Sequence, residues 1–289
     1  MTKVAVLGTG LLGSGMVEIL LAKGHEVRVW NRSAAKTAPL AAKGAIVGET
    51  PAATVQGCAR AHLVLAEDDA VDAVLAALRP GLGKGVPVVD HSTNLPTRVA
   101  ARCQAMAAAG VRYVHAPVFM SPQNAREASG LMLIAGPAAE VEPLLAPLGE
   151  MTGKVWHCGE RVDLAAFHKL AGNGLLMALT GAMGDLLAMG QSTGLSPRDV
   201  LALFDVFKPG GAIPYFGQRV ANAGEGPASF ELTMARKDVR LMLETAGKTP
   251  LTVLPGIAKA MDASLARGLG AQDYAVFAKV PATRPTPRA

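Results

Sequence analysis

The turn at residues 8–13 constrains the fold more than any other part of the chain. An apolar run with strand character, Lys3–Leu7, leads into Gly8-Thr9-Gly10-Leu11-Leu12-Gly13, which opens a segment with helical spacing. Three glycines at this spacing, between a strand and a helix, are typical of the phosphate-binding turn of a dinucleotide-binding unit. The first glycine permits the tight turn, the second lets a pyrophosphate touch the backbone, and the third lets the helix approach the strand. The motif therefore predicts cofactor contacts along all six residues, and an ordinary glycine-rich turn is the alternative.

Strand and helix signals alternate through the first half of the chain. Ala- and Leu-rich helical stretches separate short β-type runs at Lys3–Leu7, Glu26–Trp30, 61–66, 86–89, 111–114 and Leu131–Ile134. This alternation predicts a mostly parallel, doubly wound α/β sheet of the Rossmann type.

The second half has a different pattern. The β-type runs stop near residue 161, and Gly/Pro breaks then separate helical segments. The sequence therefore predicts a dinucleotide-binding domain at 1–161 and an all-helical domain at 162–278. Residues 279–289 contain three prolines and little apolar material, so we expect a disordered tail.

Composition and charge narrow the class of protein. Half of the residues are apolar, so the chain can bury a substantial core. The formal net charge of +5 is spread along the chain without runs of Lys and Arg or interleaved aromatics, which argues against nucleic acid as a partner. The three cysteines lack CxxC pairing and are expected to be reduced thiols. The scattered histidines lack metal-ligand spacing, so no metal is predicted.

The amino terminus and one apolar segment bear on localisation. The first strand follows Met1 almost at once, without the parts of a secretory signal, so we expect a cytoplasmic protein. Residues 170–190 are apolar enough to be a candidate transmembrane helix. Asn173, Asp185 and several glycines interrupt this segment, which favours a helix buried in protein and no membrane partner.

The residues after Glu26–Trp30 indicate which dinucleotide binds. NAD-preferring folds usually place Asp or Glu here to accept hydrogen bonds from the ribose hydroxyls, whereas this chain has Asn31-Arg32-Ser33. A carboxylate would repel a 2′-phosphate, but a neutral amide, a planar guanidinium and a hydroxyl can bind one. We therefore predict NADP(H) as the cofactor, with a merely solvent-facing Arg32 as the alternative.

Polar or turn-prone segments follow two further strands. Asp90-His91-Ser92-Thr93-Asn94 comes directly after the run at 86–89, and Ala116-Pro117-Val118 comes just after the run at 111–114. Open α/β sheets bind ligands beyond the carboxyl ends of their strands. We expect these segments to form two walls of one crevice, in which Ser92 and Thr93 can also cap the next helix.

Four separated motifs together carry a resemblance to a known family. They are the dinucleotide turn with its Trp30-Asn31-Arg32-Ser33 continuation, the Asp90-His91-Ser92-Thr93 segment, the helix from Lys169 to Asn173, and the stretch from Phe230 through Lys237-Asp238. In order and spacing they resemble the β-hydroxyacid dehydrogenase family. That family includes 3-hydroxyisobutyrate dehydrogenases, tartronate semialdehyde reductases and glyoxylate/succinic semialdehyde reductases. The resemblance covers nearly the whole chain.

The resemblance implies an enzyme that transfers a hydride between a nicotinamide cofactor and a small carbonyl or alcohol. By position, Lys169 is the expected general acid or base and Asn173 its companion; their spacing puts both on one face of a helix. Further expected contacts are Leu65, Thr93 and Lys237 with the cofactor and Ser92 with the substrate. The family's helical second domain often mediates dimers or tetramers, so we expect a homo-oligomer.

The substrate loop departs from the family's usual pattern. Where the family usually reads Asp-Ala-Pro-Val-Ser-Gly-Gly, this chain has His115-Ala116-Pro117-Val118-Phe119-Met120-Ser121. The serine and glycines that would bind a substrate carboxylate are replaced, so Phe119, Met120 and Ser121 are expected to line a more apolar substrate site. Two alternatives remain: an imine reductase-like enzyme that acts on C=N bonds, and a non-catalytic NADP-binding protein. The presence of Lys169 favours the dehydrogenase prediction.

Overall fold

A computed structural model describes residues 1–279 of the chain. These residues form two compact units, the first covering Met1–Asn173 and the second beginning at Gly174. The first unit includes the start of the long helix that follows residue 161, and the domain boundary expected there stays a prediction. Apart from Lys279, the tail that we expect to be disordered lies outside the described residues.

Six parallel strands form the main sheet of the first unit. They are β1 (Lys3–Leu7), β2 (Glu26–Trp30), β3 (Ile46–Val47), β4 (Arg60–Leu63), β5 (Pro87–Asp90) and β6 (Arg112–His115). Their spatial order, β3-β2-β1-β4-β5-β6, confirms the predicted doubly wound Rossmann sheet. Leu63 pairs with Leu7 on one side and Asp90 on the other, and Asp90 pairs with His115. The carboxyl ends of four strands therefore meet at one edge.

Seven helices accompany the strands of the first unit. They are α1 (Leu11–Ala22), α2 (Ala38–Ala41), α3 (Pro51–Val55), α4 (Asp68–Leu78), α5 (Pro96–Ala108), α6 (Pro122–Arg126) and α7 (Ala138–Gly149). Because side chains alternate along a strand, Val4 and Val6 of β1 pack in the core that contains the buried face of α1, whereas Ala5 and Leu7 pack in the core that contains α4. Both faces of the sheet are thus buried, as a parallel sheet requires.

A second, three-stranded sheet corrects one prediction. It contains β7 (Val118–Phe119), β8 (Leu131–Ile134) and β9 (Lys154–His157) in the order β7-β8-β9, with β7 antiparallel and β9 parallel to β8. The prediction that Leu131–Ile134 joins the main sheet is therefore wrong. An apolar run indicates that a strand is buried, but it does not identify the neighbouring strand. The short β7 and the more polar β9 gave no comparable signal.

The second unit is built from helices. After α8 (Leu164–Ser192), which begins in the first unit, come α9 (Pro197–Leu201), α10 (Leu203–Val206), α11 (Ile213–Ala221), α12 (Leu232–Ala246) and α13 (Leu254–Ala266). Leu232 and Val239 of α12 pack with Met261 of α13 in a buried cluster. On α8, the buried Asp185 carboxylate accepts hydrogen bonds from three successive backbone N–H groups at the start of α13. The predicted helical second half is confirmed.

The exposure of α8 corrects a second expectation. We expected its apolar segment to be buried in protein, yet only 6% of its most apolar 18-residue window is buried. Leu176 and Met177 are 57% and 71% exposed. By length and composition alone, α8 could cross a membrane. Sequence composition shows that a helix is apolar, but it does not show what covers the apolar face.

Candidate functional site

The three glycines of the first turn meet three different demands. Gly8 has a φ of 101°, and a Cβ there would lie 2.2 Å from the carbonyl oxygen of Val64. A Cβ on Gly13 would lie 2.0 Å from the carbonyl oxygen of Gly8. A Cβ on Gly10 would meet no atom within 4 Å, although Gly10 caps the N-terminus of α1. Gly10 is therefore open towards a ligand, whereas Gly8 and Gly13 are required by the fold itself.

The other three residues of the turn take separate places. Thr9 is buried, and its backbone N–H donates to Asn31 Oδ1 at 3.2 Å. Leu11 is 76% exposed, whereas Leu12 packs at the edge of the core. The amide of Asn31 also donates to the carbonyl oxygen of Ser33 at 3.1 Å. Asn31 therefore fixes the turn after β2 against the turn after β1.

A cavity of about 500 Å³ lies beside these turns, lined among others by Gly8, Gly10, Asn31, Arg32, Ser33, Lys36 and Leu65. The Arg32 side chain forms no ion pair within residues 1–279, so its guanidinium is free to bind an anion. Lys36 lines the same cavity and brings a second cation. Lys36 was not predicted from the sequence, although its position four residues after Arg32 could have indicated it.

The turn after β5 is fixed through Asp90. The Asp90 carboxylate is fully buried and accepts hydrogen bonds from the Ser92 backbone N–H at 2.9 Å, from Asn94 Nδ2 at 2.6 Å and from the Tyr113 hydroxyl at 2.6 Å. Ser92 Oγ in turn accepts from the Leu65 backbone N–H at 3.0 Å. The ends of β4 and β5 are thereby joined. Thr93 is exposed on this turn, next to Ser92.

A series of hydrogen-bonded, buried side chains also connects β4 to the turn after β5. Arg60 Nε donates to His62 Nε2 at 3.1 Å, His62 Nδ1 lies 2.8 Å from His91 Nε2, and His91 Nδ1 lies 2.7 Å from the carbonyl oxygen of Ala116. Because an arginine can only donate, both rings must be neutral and each must donate to the next acceptor. Burial lowers the pKa of His91 to about 4 and holds the pKa of His62 well below its ordinary value.

This series of side chains has a structural consequence for the substrate loop. Ala116 begins the segment that leads into β7, so the hydrogen bond from His91 fixes that segment to the end of β5. The two expected walls of the crevice are therefore held together in the first unit. His62 was not predicted from the sequence; the available signal was a polar ring in the otherwise apolar run at 61–66.

The substrate loop places its three candidate residues differently. Phe119 ends β7 and packs against the buried cluster that contains Leu133 and Ala165, whereas Met120 packs at the edge of the main core. Ser121 caps α6: its Oγ accepts from the Asn124 backbone N–H at 3.1 Å. The Ser121 hydroxyl is thus engaged locally, and its contact with a substrate stays a prediction.

Lys169 and Asn173 lie on one face of α8, as their spacing predicts. Lys169 Nζ donates to Asn173 Oδ1 at 3.0 Å and lies 4.2 Å from the centroid of the Phe119 ring. Burial lowers the pKa of Lys169 from its ordinary value. The structure therefore brings Phe119, Lys169 and Asn173 together, in an arrangement that can hold an amine ready to exchange a proton.

Lys237 belongs to the second unit. It lies on α12, and its Nζ pairs with the Asp238 carboxylate at 2.9 Å. Both side chains are more than 40% exposed, so this pair constrains the lysine only weakly. A contact between Lys237 and a cofactor stays a prediction.

Known proteins match both the sequence and the fold. Residues 3–159 match the NAD binding domain of 6-phosphogluconate dehydrogenase. The uncharacterized oxidoreductase YfjR of Bacillus subtilis is 26% identical over 96% of this chain and 99% of its own length. Glyoxylate/succinic semialdehyde reductase 1 of Arabidopsis thaliana is 28% identical over 98% of each chain. An imine reductase from Myxococcus stipitatus, solved with NADP⁺, shares the fold with a TM-score of 0.86 at 21% identity, over 96% of this chain and 98% of that one.

The matched domain covers more than half of the chain and contains the glycine turn, the cavity beside it and both strand-end walls. The relatives extend the match over the helical second half. Together they confirm the resemblance inferred from the four motifs, and with it a nicotinamide dinucleotide as cofactor. The chain belongs to the β-hydroxyacid dehydrogenase family of NAD(P)-binding oxidoreductases.

Proposed function

We propose that this chain is an NADP(H)-dependent enzyme that interconverts a small carbonyl compound and its alcohol, with Lys169 as the group that exchanges the proton. The observation that carries the proposal is the environment of the Lys169 amine. It is half-buried, it donates to Asn173, and it forms no ion pair within residues 1–279. An ammonium that no carboxylate neutralises can act on charge that develops on a substrate.

The division of work follows from the chemistry of each side chain. Bound NADPH would supply the hydride for reduction. As the substrate oxygen gains negative charge, the Lys169 ammonium stabilises that charge and then donates a proton to the oxygen. The Asn173 amide has no proton to release near neutral pH, so it orients the lysine or the substrate. In oxidation, the neutral amine of Lys169 accepts the proton.

The preference for NADP(H) over NAD(H) rests on the cationic turn after β2. Arg32 and Lys36 line the same cavity as Ser33, and together they offer two positive charges and a hydroxyl to a 2′-phosphate. Gly10 leaves space for a pyrophosphate at the N-terminus of α1. Thr93 and Lys237 complete the proposed cofactor contacts.

The substrate is proposed to have an apolar or uncharged portion. Ser92, Phe119, Met120 and Ser121 are the proposed substrate contacts, and the two central side chains are bulky and apolar. A compact hydroxyacid needs donors for its carboxylate, which these two cannot supply. The same apolar surroundings favour a second candidate function, the reduction of C=N bonds, which the name of the matched imine reductase describes for that protein.

A substrate panel with a lysine variant tests the proposal. Purified protein with NADPH is assayed against aliphatic aldehydes, glyoxylate, succinic semialdehyde and cyclic imines. Lys169→Met keeps most of the packing but removes the proton and the charge, so the rate should fall roughly 10²–10⁴-fold. NADPH binding, measured by fluorescence, should persist in Lys169→Met.

Lys154→Met, at the exposed start of β9, is the matched control for Lys169→Met and should retain the wild-type rate. Two outcomes would contradict the proposal. Equal rates for Lys169→Met and wild type would refute the role of the lysine. NADPH binding without turnover of any compound would instead support a non-catalytic protein.

The proposed assembly is a homodimer or homotetramer in the cytoplasm. The exposed side chains of α8, including Leu176 and Met177, form an apolar face of the kind that a partner subunit covers. Light scattering should give at least a dimer for wild type, and Leu176→Glu should shift it towards monomer. A monomeric wild type, or one recovered with membranes, would contradict this assembly.

A further inference from the structure

Gly172 and Phe119 form an unusually close contact in the first unit. Gly172 lies on α8 between Lys169 and Asn173. A Cβ on Gly172 would lie 2.3 Å from Phe119 Cζ and 2.8 Å from Phe119 Cε1. The aromatic ring therefore rests directly against the backbone of the helix. With any residue larger than glycine, the ring would have to move.

The same ring contacts the lysine amine. Lys169 Nζ lies 4.2 Å from the Phe119 ring centroid, within the range of a cation–π interaction. The amine also donates a hydrogen bond to the Asn173 oxygen at 3.0 Å. A lysine side chain is long and flexible, so these two contacts restrict where the amine can lie. The contact with Asn173 is a hydrogen bond within α8. The contact with Phe119 depends on how the substrate loop packs against Gly172.

These contacts also limit what the amine can still bind. An ammonium group has three N–H donors. Asn173 accepts from one of them, and the Phe119 ring lies within cation–π range of the amine, so at most two N–H groups remain for a substrate. Around the ring, the packed side chains are apolar, including Leu131, Leu133 and Leu164. A carboxylate near the amine would have to sit against this apolar surface with few donors.

We propose that Phe119 is a positioning and specificity-determining residue. Its ring, packed against the backbone at Gly172, holds the Lys169 amine for an uncharged acceptor and disfavours small substrates that carry a carboxylate. The proposal rests on the proposed function of Lys169 as proton donor. It adds that the loop residue Phe119 and the helix residue Gly172 act as one unit.

An NMR measurement without substrate tests the contact between the Phe119 ring, Gly172 and the Lys169 amine. An amine over an aromatic face carries neighbouring methylene protons into the ring current, so the Lys169 ε-CH₂ signals should be shifted upfield in the NMR spectrum of wild type. Phe119→Leu and Gly172→Ala should each remove this shift, the first by deleting the ring and the second by displacing it. Phe167→Leu, which changes an exposed phenylalanine on the same helix, is the matched control and should retain it.

Kinetics test the consequence for specificity. Butanal and succinic semialdehyde have the same chain length, and only the second carries a carboxylate. Wild type should prefer butanal, and Phe119→Leu and Gly172→Ala should each lower kcat for butanal roughly tenfold to a hundredfold. Both variants should shift the ratio of kcat/KM values towards succinic semialdehyde. The double variant should be no worse than Phe119→Leu alone, because Gly172→Ala acts through the ring.

The outcomes separate this inference from the proposed function. Absence of the upfield shift in wild type, additive effects in the double variant, or an unchanged ratio of kcat/KM values would overturn the role of Phe119. Inactivity of wild type towards every carbonyl, with the upfield shift present, would count against the proposed function. The packing of the Phe119 ring against Gly172 beside the Lys169 amine would still be supported.

Discussion

The cofactor half and the substrate half of the candidate site are held in place by different means. On the cofactor side, backbone turns do most of the work: Gly8 and Gly13 are required by contacts with other backbone atoms, and Gly10 is left open. On the substrate side, Phe119 and Lys169 meet through side-chain packing between a loop and a distant helix. A backbone turn tolerates few residue types, whereas a packed contact can be made by many combinations.

The largest predicted effect concerns the histidine chain that fixes the turn after β5 to the substrate loop. Burial lowers the pKa of His91 from 6.5 to about 4, so the unfolded chain binds protons first as the pH falls. Stability should be complete above pH 6.5 and should fall by about 3 kcal/mol towards pH 4 through His91 alone, at 1.36 kcal/mol per pKa unit.

Urea unfolding between pH 7.5 and pH 4.5 measures this loss. His62→Gln retains a donor and an acceptor but cannot titrate, so its unfolding free energy should depend less steeply on pH. A wild-type unfolding free energy that stays constant over this range would contradict the assignment of neutral rings to His62 and His91.

The next largest effect concerns Arg32, in the cationic turn after β2 on the cofactor side of the site. Arg32→Ala removes a guanidinium from the cavity beside the glycine turn and should weaken NADPH binding roughly tenfold to a hundredfold, with little change for NADH. Arg79→Ala, an exposed arginine elsewhere in the first unit, is the charge-matched control. Fluorescence titration measures the affinity of wild type and both variants for NADPH and NADH. An equal loss of affinity for the two cofactors in Arg32→Ala would rule out a contact with the 2′-phosphate.

Two glycine variants sharpen the contrast between fold and ligand. In Gly13→Ala the new Cβ would meet the Gly8 carbonyl oxygen, so the free energy of unfolding should fall by about 1–3 kcal/mol. In Gly10→Ala the Cβ meets open space, so stability should stay within about 0.5 kcal/mol of wild type while NADPH binding weakens. Thermal melts with and without NADPH separate the two; equal destabilisation of the free protein would show that Gly10 is not reserved for a ligand.

The smallest effect concerns Ser121, which caps α6 beside the substrate loop. Ser121→Ala should cost about 1 kcal/mol of stability, and Ser121→Asp should restore most of it because aspartate is also a good N-cap. Ser121→Ala should also raise the KM of the best substrate, because Ser121 is a proposed substrate contact. An unchanged KM in Ser121→Ala, together with the loss of stability, would restrict Ser121 to capping α6.

The sequence was informative where one residue type is needed at one position. The glycine spacing predicted the turn, and the i,i+4 spacing predicted that Lys169 and Asn173 share a helix face. It did not reveal the partner of β8, because an apolar run fits either sheet. It also did not reveal the contact between Gly172 and Phe119, which depends on how a loop packs on a helix. In general, local backbone demands were predictable and long-range packing was not.

The proton donor is tested most directly by the pH dependence of hydride transfer. Single-turnover oxidation of NADPH is followed in wild type and Lys169→Met with the best carbonyl substrate of the panel. The wild-type rate should fall as the pH rises through the pKa of Lys169, which burial holds below its ordinary value, because the neutral amine cannot protonate the product oxygen. Lys169→Met should be slower at every pH and should lack this decline. A Lys169→Met variant with the same decline as wild type would assign the proton to another group and contradict the account.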